Sequence, residues 1–168
     1  LHTLGLKEVA RIGADMDNIL TAAGYTKGTR TERIDALSIS PAQVYADSDE
    51  GRAQILKDYT TIINDITARL DPIFGIKPKA RVNVERVPVF TEKTAPFAYY
   101  NAPPLDGSKP GVFYVNLYKP NEIAKFGMRT LAYHEAVPGH HMQIAIAQEL
   151  KGLPIFRNVL PFTAYAEG

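Results

Sequence analysis

The sequence predicts a mainly helical α+β domain, on three observations. Apolar residues recur at helical spacing between residues 6 and 70, β-branched and aromatic residues cluster between 81 and 118, and helical spacing returns after 128. The expected division is a helical part over 1–75, a small antiparallel or mixed sheet over 81–118, and metal-site helices over 128–168.

In chain order, Leu6, Val9, Ile12, Met16, Ile19 and Leu20 form one stripe of a helix expected over 6–23, with Gly24 as its stop. A shorter helix is expected over 31–37. Ser48 is placed to cap a long helix whose positions Ile55, Tyr59, Ile62, Ile63, Ile66 and Leu70 keep helical spacing, and Asp71-Pro72 ends it. Strands are expected over 81–86, with Val82 and Val84 on one face, over 97–100 and over 112–118. The stretch from Ala102 to Pro110 carries three prolines and a glycine and reads as a loop. Asn121 caps a short turn that Gly127 breaks. A buried helix then starts at 128–135, helix resumes over 143–150, and a last helix begins near Pro161.

Composition narrows the function. Hydrophobic residues at 45% and charged residues at 22% are globular values. Nineteen basic against 18 acidic residues leave a net charge of +1, which gives no electrostatic grip on nucleic acid or an anionic membrane. The absence of cysteine excludes disulfides, thiolate-bound metal and a thiol nucleophile. No apolar run reaches the roughly 20 residues of a membrane helix. The chain lacks an initial Met and a signal peptide and stops at Ala166-Glu167-Gly168, so the expectation is an internal piece of a longer protein whose compartment these features leave open.

Three of the four histidines fall between positions 134 and 141, in His134-Glu135-Ala136-Val137-Pro138-Gly139-His140-His141. A His-Glu pair followed by more histidine is how helical zinc hydrolases are built: imidazole nitrogens bind the ion at about 2.0–2.1 Å, and the adjacent carboxylate accepts a proton from water that the metal makes acidic. Two ligands on one helix face are usually four residues apart. Here His134 and His140 are six apart, about 240° of rotation and about 9 Å of rise on an unbroken helix; His134 and His141 share a face but stand about 10.5 Å apart. Pro138 resolves this by preventing an unbroken helix, since its ring would strike the carbonyl of His134 and it disfavours helical Val137. Gly139 permits the detour. A two-residue excursion returns His140 to an i+4 position; a three-residue one does the same for His141. His140 needs the smaller detour and is favoured, with His141 as the alternate.

A catalytic zinc needs a third protein ligand. The acidic residues downstream are Glu149, expected to be solvated on the same helix, and Glu167, which an antiparallel return through Gly152 to Pro161 brings back beside His134 and His140.

His134-Glu135-x-x-Pro138-Gly139-His140 with Gln143, then Tyr165-Ala166-Glu167-Gly168, resembles the bacterial domain-of-unknown-function family 885, whose motif is H-E-x-x-P-G-H with a later A/E-G-W stretch. The run from Leu105 through Asp106-Gly107-Ser108 to Leu117 is similar to its D-G-S-x-P-G-x-Y-Y-V-N-L segment, and Leu4 to Ile12 to its mid-chain helix, so the resemblance spans nearly the whole chain. It implies a much longer, mostly helical protein, commonly exported or lipid-anchored. The site layout is similar to that of thermolysin-type zinc peptidases with a glutamate ligand. That implies zinc on His134, His140 and Glu167, with Glu135 as general base. The chain departs from the pattern by ending at Gly168, before the expected tryptophan, and the isolated piece is expected to be inactive.

On the substrate side, the strand over 112–118 is expected to lie beside the motif helix, where an edge strand pairs with extended peptide. Asn116 or Tyr114 could then face the cleft, although sheet core is the commoner fate of such residues. Tyr99, Tyr100, Tyr133 and Tyr165 are candidate donors to an oxyanion. The leading expectation is a zinc metallopeptidase acting on peptide or amide bonds. Against it stand a metal-dependent amidase or esterase on small molecules, and a non-catalytic metal-stabilised binding module in which Glu135 is structural, paired with an arginine such as Arg129.

Overall fold

A computed structural model describes residues 1–159 and 162–167; of Val159 and Tyr165 only the backbone is described. Pro161 itself, near which the last helix is expected to begin, and the side chain of Tyr165 therefore lie outside the described residues. The fold is mainly helical with one small mixed sheet, as expected. Among the described residues, no helix is long and apolar enough to cross a membrane.

Helix α1 (His2–Ala22) meets α2 (Arg30–Ser38). Thr29 and Glu32 close a capping box on α2, satisfying two backbone donors at its start. Asp17 of α1 pairs with both Arg30 and Arg33 of α2. The apolar stripe of α1 is not a core stripe. Leu6, Val9, Ile12 and Ile19 are exposed and Leu20 is buried, because α2 is the main packing neighbour of α1 and meets it largely through this ion-pair cluster.

Helix α3 (Asp49–Thr67) is the central packing element. The Ser48 hydroxyl accepts from the Gly51 amide, as the sequence predicts, and Gly51 lies so close to the Ala46 carbonyl that a Cβ would stand 2.0 Å from it. Ile55, Tyr59 and Ile63 are buried along one face. They meet the sheet, where the rings of Tyr59 and Phe113 pack edge to face at 5.1 Å.

The sheet contains β1 (Val82–Arg86), β2 (Ala98–Asn101) and β3 (Gly111–Val115), in the order β1-β3-β2. β3 runs parallel to β1 and antiparallel to β2. It alternates strictly: Gly111, Phe113 and Val115 are buried, with Val112 and Tyr114 half-buried on the other face. A 3-10 turn (Pro120–Glu122) leads to α4 (Lys125–Glu135) and α5 (His140–Glu149), followed by the short α6 (Phe156–Val159) and α7 (Thr163–Ala166). Gly127 does not break a turn as expected; it lies in the first turn of α4. Met128, Ala132 and Ala136 of this region join Ile55, Tyr59, Phe113, Val115 and Leu117 in one core.

Candidate metal centre

Helix α4 ends at Glu135, and its last backbone bond runs from the Ala136 amide to the Ala132 carbonyl. Residues 136–139 form a turn containing a cis Val137-Pro138 bond, and α5 starts at His140. The interruption expected over Val137–Gly139 is present and one residue longer. The amides of His141 and Met142 both return to the Ala136 carbonyl, at 3.1 and 3.4 Å, which keeps the two helices together across the break. Close approach requires glycine at 139. A Cβ there would stand 1.9 Å from the His134 carbonyl oxygen and 2.3 Å from that of Tyr133.

This geometry brings the rings of His134 and His140 to 4.5 Å, inclined at 72°. Glu167, the residue after α7, faces both. Its carboxylate oxygens lie 3.7 Å from His134 Nε2 and 3.3 Å from His140 Nε2. One ligand atom from each residue falls within 4.8 Å of the others. Ligand atoms about 2.0–2.1 Å from a tetrahedral zinc stand about 3.3–3.4 Å apart, so the two histidine–glutamate distances are near that spacing, and two imidazoles with one carboxylate are a donor set zinc accepts. His140 is 14% exposed while His134 and Glu167 are about half exposed, at 53% and 51%, so the cluster opens to solvent on one side.

Glu135 is buried at 7% exposure beside the cluster. Burial pushes its carboxyl above the usual range; the imidazoles of His140 and His134 oppose that shift and Glu167 adds to it. No hydrogen bond or ion pair engages its carboxylate among the described residues. Arg129, the partner considered for a structural Glu135, instead donates to the Tyr133 hydroxyl at 3.3 Å.

His141 has a different place. It is buried at 1% exposure, Tyr100 Oη lies 2.9 Å from its Nδ1, and its Nε2 lies 3.0 Å from the Ala80 carbonyl. A carbonyl can only accept, so Nε2 carries the proton and Nδ1 accepts from the tyrosine. Both ring nitrogens are thereby occupied, and burial lowers the pKa of the ring, which favours its neutral form. Gly111 completes the contact: a Cβ there would stand 2.6 Å from Tyr100 Oη and 2.9 Å from His141 Nδ1. His141 thus ties the start of α5 to β2, β3 and the approach to β1.

The remaining candidates disperse. Glu149 is not simply solvated; it accepts from the Lys79 amide at 2.7 Å and anchors the far end of α5. β3 is the central strand of the sheet, with both edges already paired, so it is not the edge strand expected to bind extended peptide. Asn116 donates to the carbonyls of Glu92, Ala95 and Pro96, and Tyr114 stacks on Tyr99 at 5.1 Å. Tyr100 is committed to His141 and Tyr133 to Arg129.

Sequence reasoning missed the groove beside α5, about 870 Å³, bounded by the 102–105 loop and by residues 156–158, 162 and 166. Its walls come from segments far apart in the chain, and none carries a motif. It likewise missed the Tyr100–His141 bond, which joins residues 41 positions apart.

A two-helix histidine centre closed by a glutamate from a third segment is the class of site that this fold builds. The chain belongs to the bacterial family of proteins of unknown function DUF885, which it matches over residues 1–168. Among solved structures it is similar to a "putative lipoprotein" from Colwellia psychrerythraea, with 45% identity and a TM-score of 0.92; the match covers 99% of this chain and 28% of that protein. No curated protein matches the sequence.

Proposed function

We propose that this protein is a zinc-dependent hydrolase, a metallopeptidase cleaving peptide or amide bonds, with His134, His140 and Glu167 as metal ligands and Glu135 as general base. The observation that carries the reading is the juxtaposition of a three-ligand set, open on one side, with the mostly buried side chain of Glu135 directly beside it. A carboxylate whose charged form is disfavoured by burial, set in a cleft beside a possible metal-ligand set, is a recurring feature of catalytic sites.

Zinc held there would act as a Lewis acid and lower the pKa of water to near 7. Glu135 accepts the proton of the attacking water and delivers it to the leaving amine. The half-exposed side of His134 and Glu167 is where substrate enters, and the Tyr100–His141–Ala80 tie holds His140 in register without sharing the metal.

The chain spans 28% of the Colwellia relative, so the activity proposed is that of the whole protein. The description of that relative as a lipoprotein agrees with an exported or lipid-anchored setting for this one. Metal analysis of the full-length protein, paired with cleavage of a peptide library, tests the reading. One zinc per chain and chelator-sensitive cleavage are expected. Stoichiometric zinc without hydrolysis of any peptide or amide would make the centre a structural one.

A further inference from the structure

Counting from His140, the positions that share its face of α5 are Gln143, Ile144, Ala147 and Gln148. All four line the groove of about 870 Å³. The groove therefore continues the metal-facing stripe of α5, and at its other end Ala166 lines it next to the candidate ligand Glu167. Ile144 and Ala147 lie about 6 Å and about 10.5 Å along the helix axis from His140. Extended peptide advances about 3.3 Å per residue, so these distances correspond to the second and third residues from a bond held at the metal. Phe156, Phe162 and Leu105 also line it. Among the described residues, Arg157 is the one cationic lining residue, and no acidic side chain lines the groove.

We propose that this groove is the specificity subsite of the enzyme. It takes a large apolar side chain, such as Phe or Leu, two or three residues from the bond cleaved, and Arg157 disfavours a basic side chain there. The proposal rests on the hydrolase reading for its register but not for the groove itself. Mostly apolar walls with a few polar groups are typical of ligand-binding clefts, and a groove of this size has room for a side chain together with the peptide that carries it.

The test uses full-length protein carrying Glu135→Gln, so that peptide is not consumed, and three fluorescein-labelled hexapeptides that differ only in Phe, Ala or Lys at the third residue from the predicted cut. Binding is read by fluorescence anisotropy. The Phe peptide should bind roughly tenfold or more tighter than the Ala peptide, and the Lys peptide no better than the Ala one. Adding Ala147→Trp, which puts a large ring where the substrate side chain is expected to sit, should abolish the Phe preference with zinc content unchanged. Where that variant fails to fold by circular dichroism, Ile144→Ala, which thins the wall, should reduce the preference several-fold. Equal binding of the Phe and Ala peptides overturns the subsite, as does a Phe preference that survives both groove variants. A groove filled by another part of the protein gives the same equal binding, with large destabilisation by Ala147→Trp. Phe selectivity without zinc or cleavage in the unsubstituted protein would sink the hydrolase reading alone. Zinc-dependent cleavage without selectivity would sink the subsite alone.

Discussion

Glu135 differs from other carboxylates of the chain because no described residue donates a hydrogen bond to it. Glu149, Glu92 and Asp17 each have donors; Glu135 has burial and two imidazoles nearby. A general base is therefore the expected role, and Glu135→Gln should lower kcat by about 10²–10⁴-fold with zinc per chain unchanged. Zinc and turnover measured on one preparation decide it. Loss of zinc with normal turnover per remaining ion would return Glu135 to a structural role. The adjacent histidines make opposite predictions. His140→Ala should eliminate stoichiometric zinc, while His141→Ala should leave zinc bound to the folded fraction and lower Tm, since it frees a buried tyrosine hydroxyl and a carbonyl at about 1–3 kcal/mol for each group left unsatisfied. Metal analysis beside a melting curve for each variant separates the two, and full zinc in the His140 variant would assign the ligand wrongly.

At the scale of elements, the centre exists because a helix was broken and restarted in a fixed relation. Pro138 stops α4, and Gly139 lets the turn pass against the carbonyls of His134 and Tyr133. Gly139→Ala forces a methyl into that contact, so either the turn or the end of α4 must shift. A cost in the overpacking range of about 1–3 kcal/mol is expected, and because the shift falls between His134 and His140 it should weaken zinc binding too. Urea denaturation and a zinc competition titration of the variant test both consequences; unchanged stability and zinc affinity in the Gly139→Ala variant would contradict the close approach.

Across the molecule, the sheet is tied to the segment that follows it by Arg86 and Glu92. The guanidinium holds both carboxylate oxygens, at 2.7 and 3.0 Å, and the Leu117 amide reaches the same carboxylate at 3.3 Å. Arg86 holds the Glu92 carboxyl below its ordinary value near 4.5. With the folded-state pKa depressed, the unfolded chain takes up the proton first as pH falls. The stabilisation is therefore complete above about pH 5 and is lost as pH drops through the folded pKa, below 4.5. The Tm of the unsubstituted protein should fall across that window, and Glu92→Gln, less stable at pH 7 by about 1–3 kcal/mol, should show a shallower decline. Parallel slopes for the two proteins would exclude this pair as a source of the acid dependence.

The helices α2, α3 and the central parts of α4 and α5, the three strands and the loop between β2 and β3 were legible in the chain because caps, breakers and hydrophobic period act within a few residues of one another. The Ser48 cap, the 55–59–63 stripe and the alternation of Gly111 to Val115 are signals of this kind. The H-E-x-x-P-G-H pattern was equally local: Pro138 states the break and the spacing states which histidines a short detour can align. The partner of a face is set elsewhere in the chain. Periodicity marked α1 as amphipathic, yet its stripe is mostly exposed here, because spacing says which residues share a side and not what covers it. The central position of β3, with its edges taken by β1 and β2, follows from pairing between distant segments. Glu167 was reachable from the missing third ligand and the family pattern, whereas the Tyr100–His141 bond and the groove along α5 are decided only when separate segments pack, since neither is written in the spacing of its parts.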